Sequence, residues 1–225
     1  MTDGIVFDFN GTLFFDSEYH LRAFDQLKYE ICGEHMDMAE MENTCAGVPN
    51  VEIFKRLSKG KLSDEECLAY SLRKEKMYRE AVAKTNGGPK LCKGSEELFS
   101  FLKQKGIPFT IASASIKENI DFFVEIFGLD KWIHPASIVY DDGTYHDKTE
   151  MFKEAFHRLS IDGRKIVLED SVSGIQCASL CGAEIIAVYN PSLQKVYEET
   201  EAVIATVGNM SEALPIIQKA LKKWH

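Results

Sequence analysis

The residues best suited to chemistry begin at Asp8, which follows the apolar run Gly4-Ile5-Val6-Phe7 and precedes Phe9-Asn10-Gly11-Thr12. A carboxylate held by a rigid strand can attack phosphorus and form an acyl phosphate, dividing phosphoester hydrolysis into two steps. Glu169 and Asp170 close a second apolar run, Ile166-Val167-Leu168. Asp8 and Asp170 would repel at short range, so a divalent cation supplies the compensation that makes such a cluster tenable. Hard oxygen ligands favour Mg2+, with Glu169 either a direct ligand or the holder of a metal-bound water. Thr12 and Ser113 offer short hydroxyls, and the Gly11 turn exposes backbone N–H groups able to cradle phosphate oxygens. Lys148 is the candidate cationic clamp, because a phosphoryl group and an attacking carboxylate concentrate negative charge. Singly, Asp8 is also an ordinary turn residue and Lys148 also a solvated surface lysine. The combination is what points to phosphoryl transfer.

Asn10 stands where a second carboxylate would be expected. An aspartate there could protonate the leaving oxygen and later deprotonate the hydrolytic water, whereas an asparagine only donates and accepts hydrogen bonds. Loss of a general acid/base removes about 10²- to 10⁴-fold in rate. Residue 10 can still offer its backbone carbonyl to a metal. The asparagine suits equally a naturally divergent chain and one altered to hold a phosphorylated or substrate-bound state.

The elements that must position these groups alternate. Residues 4–9 read as a buried strand, and helical periodicity follows over 17–31, with Asp16 or Ser17 as its cap. Further helices are expected at about 37–44, 50–59 and 63–84, and Thr85-Asn86-Gly87-Gly88-Pro89 is a linker that cannot continue a helix. Beyond it, strands at 108–113, 137–140, 165–169, 184–188 and 202–205 alternate with helices at 95–105, 116–127, 149–159, 173–181 and 211–223. Such alternation implies a parallel sheet covered on both faces, with ligands beyond the C-terminal strand ends. Asp8, Asn10, Ser113, Glu169 and Asp170 fall at those ends. Phe7, Phe9, Phe14 and Phe15 read as packing, with Phe14 and Phe15 available to a pocket mouth. Asp141-Asp142-Gly143-Thr144 reads as an acidic turn that needs no cation.

The 225 residues suit one core with a large insertion, and 45% hydrophobic with 27% charged residues allow a sizeable core under a polar surface. A formal net charge of -9 disfavours nucleic-acid and anionic-membrane surfaces. Six scattered cysteines read as packing thiols; Cys177 and Cys181 share a helix face without a zinc pattern. With no leader segment and no apolar run long enough to span a bilayer, the expected state is a monomer in the reducing cytoplasm.

These residues resemble the haloacid dehalogenase-like hydrolase superfamily. Ile5-Val6-Phe7-Asp8-Phe9-Asn10-Gly11-Thr12-Leu13 looks like its first motif, with Asp8 on the nucleophile and Asn10 replacing the usual phosphatase acid/base. Ile111-Ala112-Ser113-Ala114-Ser115 matches the second, which puts Ser113 and Ala114 with Gly11 and Thr12 on phosphate. Lys148 falls on the third-motif lysine, without the frequent proline after it. Val167-Leu168-Glu169-Asp170-Ser171-Val172-Ser173-Gly174-Ile175 matches the fourth, assigning Asp170 to Mg2+ and Glu169 to its coordination shell, together with Asp8 and Asn10. The implied fold is an α/β, Rossmann-like parallel-sheet core, residues 1–14 and 89–225, with an inserted all-helical cap at 15–88 flanked by hinges.

Within that superfamily, Asp16-Ser17-Glu18-Tyr19-His20-Leu21-Arg22-Ala23-Phe24 and the Ala46-Gly47-Val48 turn look like beta-phosphoglucomutase and related sugar-phosphate phosphatases. The resemblance puts His20 at the cap entrance, in contact with substrate. The expected activity is Mg2+-dependent hydrolysis of a small phosphorylated metabolite, a sugar phosphate, through an aspartyl-phosphate, reduced by Asn10. A mutase should hold a second phosphate, yet the arginine expected after Gly47-Val48 is Asn50, leaving Arg73, Lys74 or Lys76 as substitutes. Carbon-phosphorus cleavage would need a Schiff-base lysine, for which Lys55 or Lys28 can be nominated. Halide displacement would retain Asp8, but the tyrosine usual at position 10 is absent. A non-catalytic phosphometabolite-binding protein is the alternative from another class.

Overall fold

Gly4–Phe7 forms β1, and all four residues are buried, as expected of a strand covered on both faces. The structure, a computed structural model, describes residues 1–45 and 48–222. By its internal contacts the chain divides into two compact units, Met1–Phe15 with Lys90–His225, and Asp16–Pro89.

In the first unit β1 pairs with β2 (Phe109–Ile116) on one side and β4 (Lys165–Glu169) on the other. β3 (Val139–Asp141), β5 (Glu184–Val188) and β6 (Val203–Val207) complete an all-parallel sheet in the order β3-β2-β1-β4-β5-β6. The strand order reverses between β1 and β4, which opens a crevice at their C-terminal ends. Successive β1 side chains face opposite ways. Val6 joins Val167, Ile185 and helix residues Phe152 and Ile175 in one buried cluster. Phe7 faces the other way, its ring 5.3 Å from Phe99 and 6.2 Å from Phe109. The covering helices are α5 (Ser95–Lys105), α6 (Lys117–Phe127), α7 (Lys148–Arg158), α8 (Val172–Leu180), α9 (Gln194–Glu199) and α10 (Met210–Lys222). Chain order places them after the helices of the insertion.

The second unit holds α1 (Ser17–Cys32), α2 (Met38–Cys45), α3 (Asn50–Leu57) and α4 (Asp64–Ala83). Phe24, Leu27, Met36, Met41, Ile53, Phe54 and Cys67 form its core. Ser63 starts α4 with a capping box: its hydroxyl accepts from the Glu66 N–H and Glu66 accepts from the Ser63 N–H. Asp16 occupies the cap position of α1 but makes no capping hydrogen bond. Its carboxylate is claimed instead by Tyr78, whose hydroxyl donates to Asp16 Oδ2 at 2.6 Å.

Several boundaries differ from the sequence reading for identifiable reasons. β1 stops at Phe7 rather than residue 9, because the Phe9 carbonyl accepts from the N–H groups of Thr12, Leu13 and Phe14 and turns the chain. β2 passes Ser113 and continues to Ile116 with a register irregularity against β3. Helix α9 was not anticipated; Asn190 opens its approach by accepting from the Ser192 N–H. No helix among the described residues is long and apolar enough to cross a membrane.

Candidate active site

Asp8 leaves the end of β1, and its N–H donates across the crevice to the Leu168 carbonyl of β4 at 2.9 Å. That rung joins the two strands whose ends carry the acidic groups. Carboxylate oxygens of Asp8, Glu169 and Asp170 all lie within 4.8 Å of one another. Lys148, the first residue of α7, donates from Nζ to Asp8 Oδ1 and to Glu169 Oε2, each at 2.6 Å. It is positioned by Asp147, whose side chain caps α7 by accepting from the N–H groups of Thr149 and Glu150.

Glu169 is fully buried. Its Oε1 accepts from the N–H groups of Asp170 and Ser171 and from the Ser171 hydroxyl, while Oε2 accepts from Lys148. Ser171 also caps α8 by accepting from the Gly174 N–H. A side chain at Gly174 would collide with the Glu169 carboxylate, so glycine is required where α8 backs the site. Gly11 has φ of +80°, and a Cβ there would collide with the carboxylate of Asp170. Both glycines admit a carboxylate close to backbone.

The Asn10 amide oxygen accepts from the hydroxyls of Ser113 at 3.2 Å and Ser115 at 2.8 Å. Ser113 in turn accepts from the Ser115 N–H. Thr12, buried, donates its hydroxyl to Asp170 Oδ1 at 3.2 Å. Gly11 donates its N–H to the Phe14 carbonyl, and Ala114 is exposed between the two serines. The sequence reading did not assign a role to Ser115. Alternation along a strand puts residues 113 and 115 on one face, and that spacing was the available signal.

The electrostatics are unbalanced, with three carboxylates against one ammonium. Burial, then the Glu169 charge, pushes the Asp8 carboxyl up to about 7 despite the opposing Lys148. Burial and the neighbouring Glu169 and Asp8 likewise raise Asp170 well above the usual carboxylate range. Burial works to deprotonate Lys148, but Asp8 and Glu169 outweigh it and hold the ammonium charged. An all-oxygen donor set with surplus negative charge fits a hard divalent cation.

The chain matches the sequence model of the haloacid dehalogenase-like hydrolase family over residues 5–188. It belongs to that family. A HAD hydrolase, family IA, variant 3, from Entamoeba histolytica superposes with a TM-score of 0.85 at 28% identity, covering 94% of this chain and 95% of the other. The beta-phosphoglucomutase of Clostridium difficile gives 0.79 at 20% identity, with 100% and 99% covered. A CbbY variant from Rhodobacter sphaeroides, in complex with Xylulose-(1,5)bisphosphate, gives 0.77 at 19% identity, with 94% and 96% covered. This haloacid dehalogenase-like hydrolase therefore shares with them a parallel α/β core carrying an inserted helical cap.

The cap of the hydrolase contains its own polar cluster. His20 stacks on Tyr78 with centroids 4.2 Å apart, and its Nε2 lies 3.2 Å from Asp16 Oδ2. Its Nδ1 is 2.8 Å from Lys74 Nζ, and Lys74, buried, also donates to Glu75 Oε1 at 2.8 Å. Asn50 donates from Nδ2 to the same Glu75 oxygen at 2.6 Å. Arg73 forms a two-point pair with Glu30, and Lys76 lies 4.0 Å from Glu80. The Ala46-Gly47 part of the expected turn lies outside the described residues. Lys28 is paired with Glu40 and Lys55 with Asp64, and each pairing raises the lysine above its ordinary value. A Schiff-base lysine needs the opposite shift. In the acidic turn, Asp142 Oδ1 accepts from the N–H and hydroxyl of Thr144, a self-contained arrangement. Phe7, Phe9 and Phe14 are buried, whereas Phe15 is 54% exposed.

Proposed function

We propose that this hydrolase is a Mg2+-dependent phosphatase of a small phosphorylated metabolite, acting through an aspartyl-phosphate on Asp8. The observation that carries the reading is the convergence of Asp8, Asp170, Glu169 and Lys148 at the crevice between β1 and β4, with anions exceeding cations. Asp8 is the nucleophile. Asp8, Asp170 and the Asn10 backbone carbonyl would hold Mg2+, with Glu169 in its coordination shell, directly or through a water. When bound, the ion supplies positive charge to the transferring phosphoryl oxygens. Lys148 favours the ionised form of Asp8 against burial and the Glu169 charge, and aligns it while the phosphoryl group approaches. We assign the phosphate oxygens to Ser113, Ala114 and the turn at Gly11 and Thr12, whose own N–H groups, bonded to the Phe14 and Phe9 carbonyls, would exchange partners on binding. Asn10 cannot move a proton, and the hydrolase is slowed accordingly.

A sugar phosphate is the leading ester, supported by the mutase and the sugar-bisphosphate complex among the structural relatives. His20 would contact it from the cap. The Asn50 amide is spent on Glu75, which favours hydrolysis over a mutase with a second phosphate site. We place the protein as a monomer in the cytoplasm, without nucleic-acid or membrane partners, in keeping with the net charge of -9.

The experiment is Mg2+-dependent phosphate release over a sugar-phosphate panel, comparing this chain with Asn10→Asp. A gain of about 10²-fold or more supports a phosphatase framework lacking its acid/base. The Asn10 amide, tied to two serine hydroxyls, favours one second reading, a phosphometabolite-binding protein. Phosphate and Mg2+ binding without turnover in either chain would select it.

A further inference from the structure

We infer that Asn10 shifts the preference of this site toward phosphoryl donors whose leaving group departs without taking up a proton, acyl phosphates above all. The inference rests on Asp8 as phosphoryl acceptor, as in the proposed function, and extends the donor class from phosphate esters to mixed anhydrides.

Cleaving an alkyl phosphate expels an alkoxide unless a proton reaches the bridging oxygen during transfer. The side chain two residues after the nucleophile is an amide, which has no proton to give at neutral pH. It is also held in place: its oxygen is the shared acceptor for the hydroxyls of Ser113 and Ser115. Of the other protic groups of the cluster, Asp170 is the proposed Mg2+ ligand and would give up its proton to the ion, and the remaining two are committed. Lys148 is the ammonium between two carboxylates, and losing its proton would leave Asp8 and Glu169 facing each other uncompensated. Glu169 is sealed, with three donors on Oε1 and the lysine on Oε2.

An acyl phosphate requires none of these groups as an acid. Its leaving group is a carboxylate whose conjugate acid has a pKa of about 4, so it leaves as the anion. In the step, an Asp8 carboxylate oxygen forms a bond to phosphorus while the bond from phosphorus to the donor carboxylate breaks; no proton moves. A mixed anhydride is consumed and a mixed anhydride is formed, so the transfer is close to balanced in energy. Transfer from an alkyl ester to Asp8 instead makes an anhydride out of an ester and runs uphill. The same amide cannot deprotonate the water that must attack the phosphoaspartate. Phosphorylated Asp8 therefore accumulates, with release of one donor carboxylate running ahead of phosphate release.

The test is acid-quenched intact-mass measurement of the whole chain with Mg2+ and, separately, acetyl phosphate, an aryl phosphate series of graded leaving-group pKa, and a sugar 6-phosphate. Acetyl phosphate is expected to label Asp8 close to stoichiometrically, with aryl phosphates falling off steeply as leaving-group pKa rises. Labelling by the sugar phosphate should be slower by about 10²-fold or more. Asp8→Asn should remain unlabelled, and Asn10→Asp should flatten the series and shorten the life of the label. Equal labelling rates from acyl and alkyl donors in the unsubstituted chain would overturn the inference, since another acid would then be serving, and would leave the phosphatase reading standing. No label from any donor, with no turnover, would remove both. The graded series on the unsubstituted chain decides the matter even if Asn10→Asp does not fold.

Discussion

Each unit of this hydrolase buries a charged cluster, and the two are built on opposite principles. In the cap, Lys74 is matched by Glu75 and His20, Asp16 is matched by Tyr78 and His20, and Asn50 closes the set on Glu75. In the core, Lys148 must answer Asp8 and Glu169 while Asp170 stands beside them with Thr12 as its hydroxyl donor. The first cluster sets its charged groups against opposite or hydrogen-bonding partners within the cap; the second carries surplus charge that, with burial, raises the carboxyls of Asp8 and Asp170. A buried network that completes itself specifies a fold, whereas one left unbalanced invites a ligand.

The comparison breaks most sharply at Asp8. Asp8→Asn should abolish phosphate release from every donor while raising the melting temperature of the metal-free protein, because a like charge is removed from a buried group; residual turnover would mean a different nucleophile. Next come the two buried lysines. Lys148→Met and Lys74→Met should each cost about 3–5 kcal/mol in urea unfolding, since each strands a buried carboxylate. Added Mg2+ should recover much of the loss at Lys148 and none at Lys74. Equal recovery would erase the distinction between the clusters.

Proton binding sharpens the same contrast. With a folded pKa of about 7 against an ordinary 3.8, Asp8 keeps its proton in the folded protein over a range where the unfolded chain has lost it. Stability of the metal-free protein should therefore fall as pH rises from about 4 to about 7, a change of a few kcal/mol, and level off above. Mg2+ competes with that proton, so the thermal shift on adding Mg2+ should grow over this window; a pH-independent shift would contradict the raised Asp8. Gly174→Ala should push on Glu169 and cost about 1–3 kcal/mol, as overpacking does. The smallest effect is expected at the acidic turn. Asp142→Asn should change stability by less than about 0.5 kcal/mol and leave Mg2+ binding unaltered in calorimetry.

The core was the more legible unit because its signals are local. Apolar runs ending in Asp8 and in Glu169-Asp170 mark strand ends, and parallel alternation carries those ends to one edge. Charge alone nominates Lys148 as a cationic clamp and its place in a family motif supports it, but its partners were not legible, since a lysine opening a helix says nothing about what it reaches across the sheet. The cap cluster was not legible. Asp16 has the residue type and position of an α1 cap, and only the arrival of Tyr78 from α4 diverts its carboxylate. Ser115 was passed over because β2 was expected to end at Ser113, and a strand end conceals the alternation that pairs the two serines. Helix α9 is six residues long, too short for periodicity to stand out from its loop.

The turn that ends β1 has one more consequence. The Phe9 carbonyl gathers three N–H groups and Gly11 donates to Phe14, so main-chain bonds hold the backbone on both sides of residue 10. Residue 10 is thus a socket. Descent can exchange the side chain there, acid for amide, with the turn's main-chain bonds kept and the contacts to Ser113 and Ser115 of β2 readjusted. An ancestor and a descendant differing at this single codon could keep one foldable architecture while trading fast turnover for a long-lived phosphorylated form.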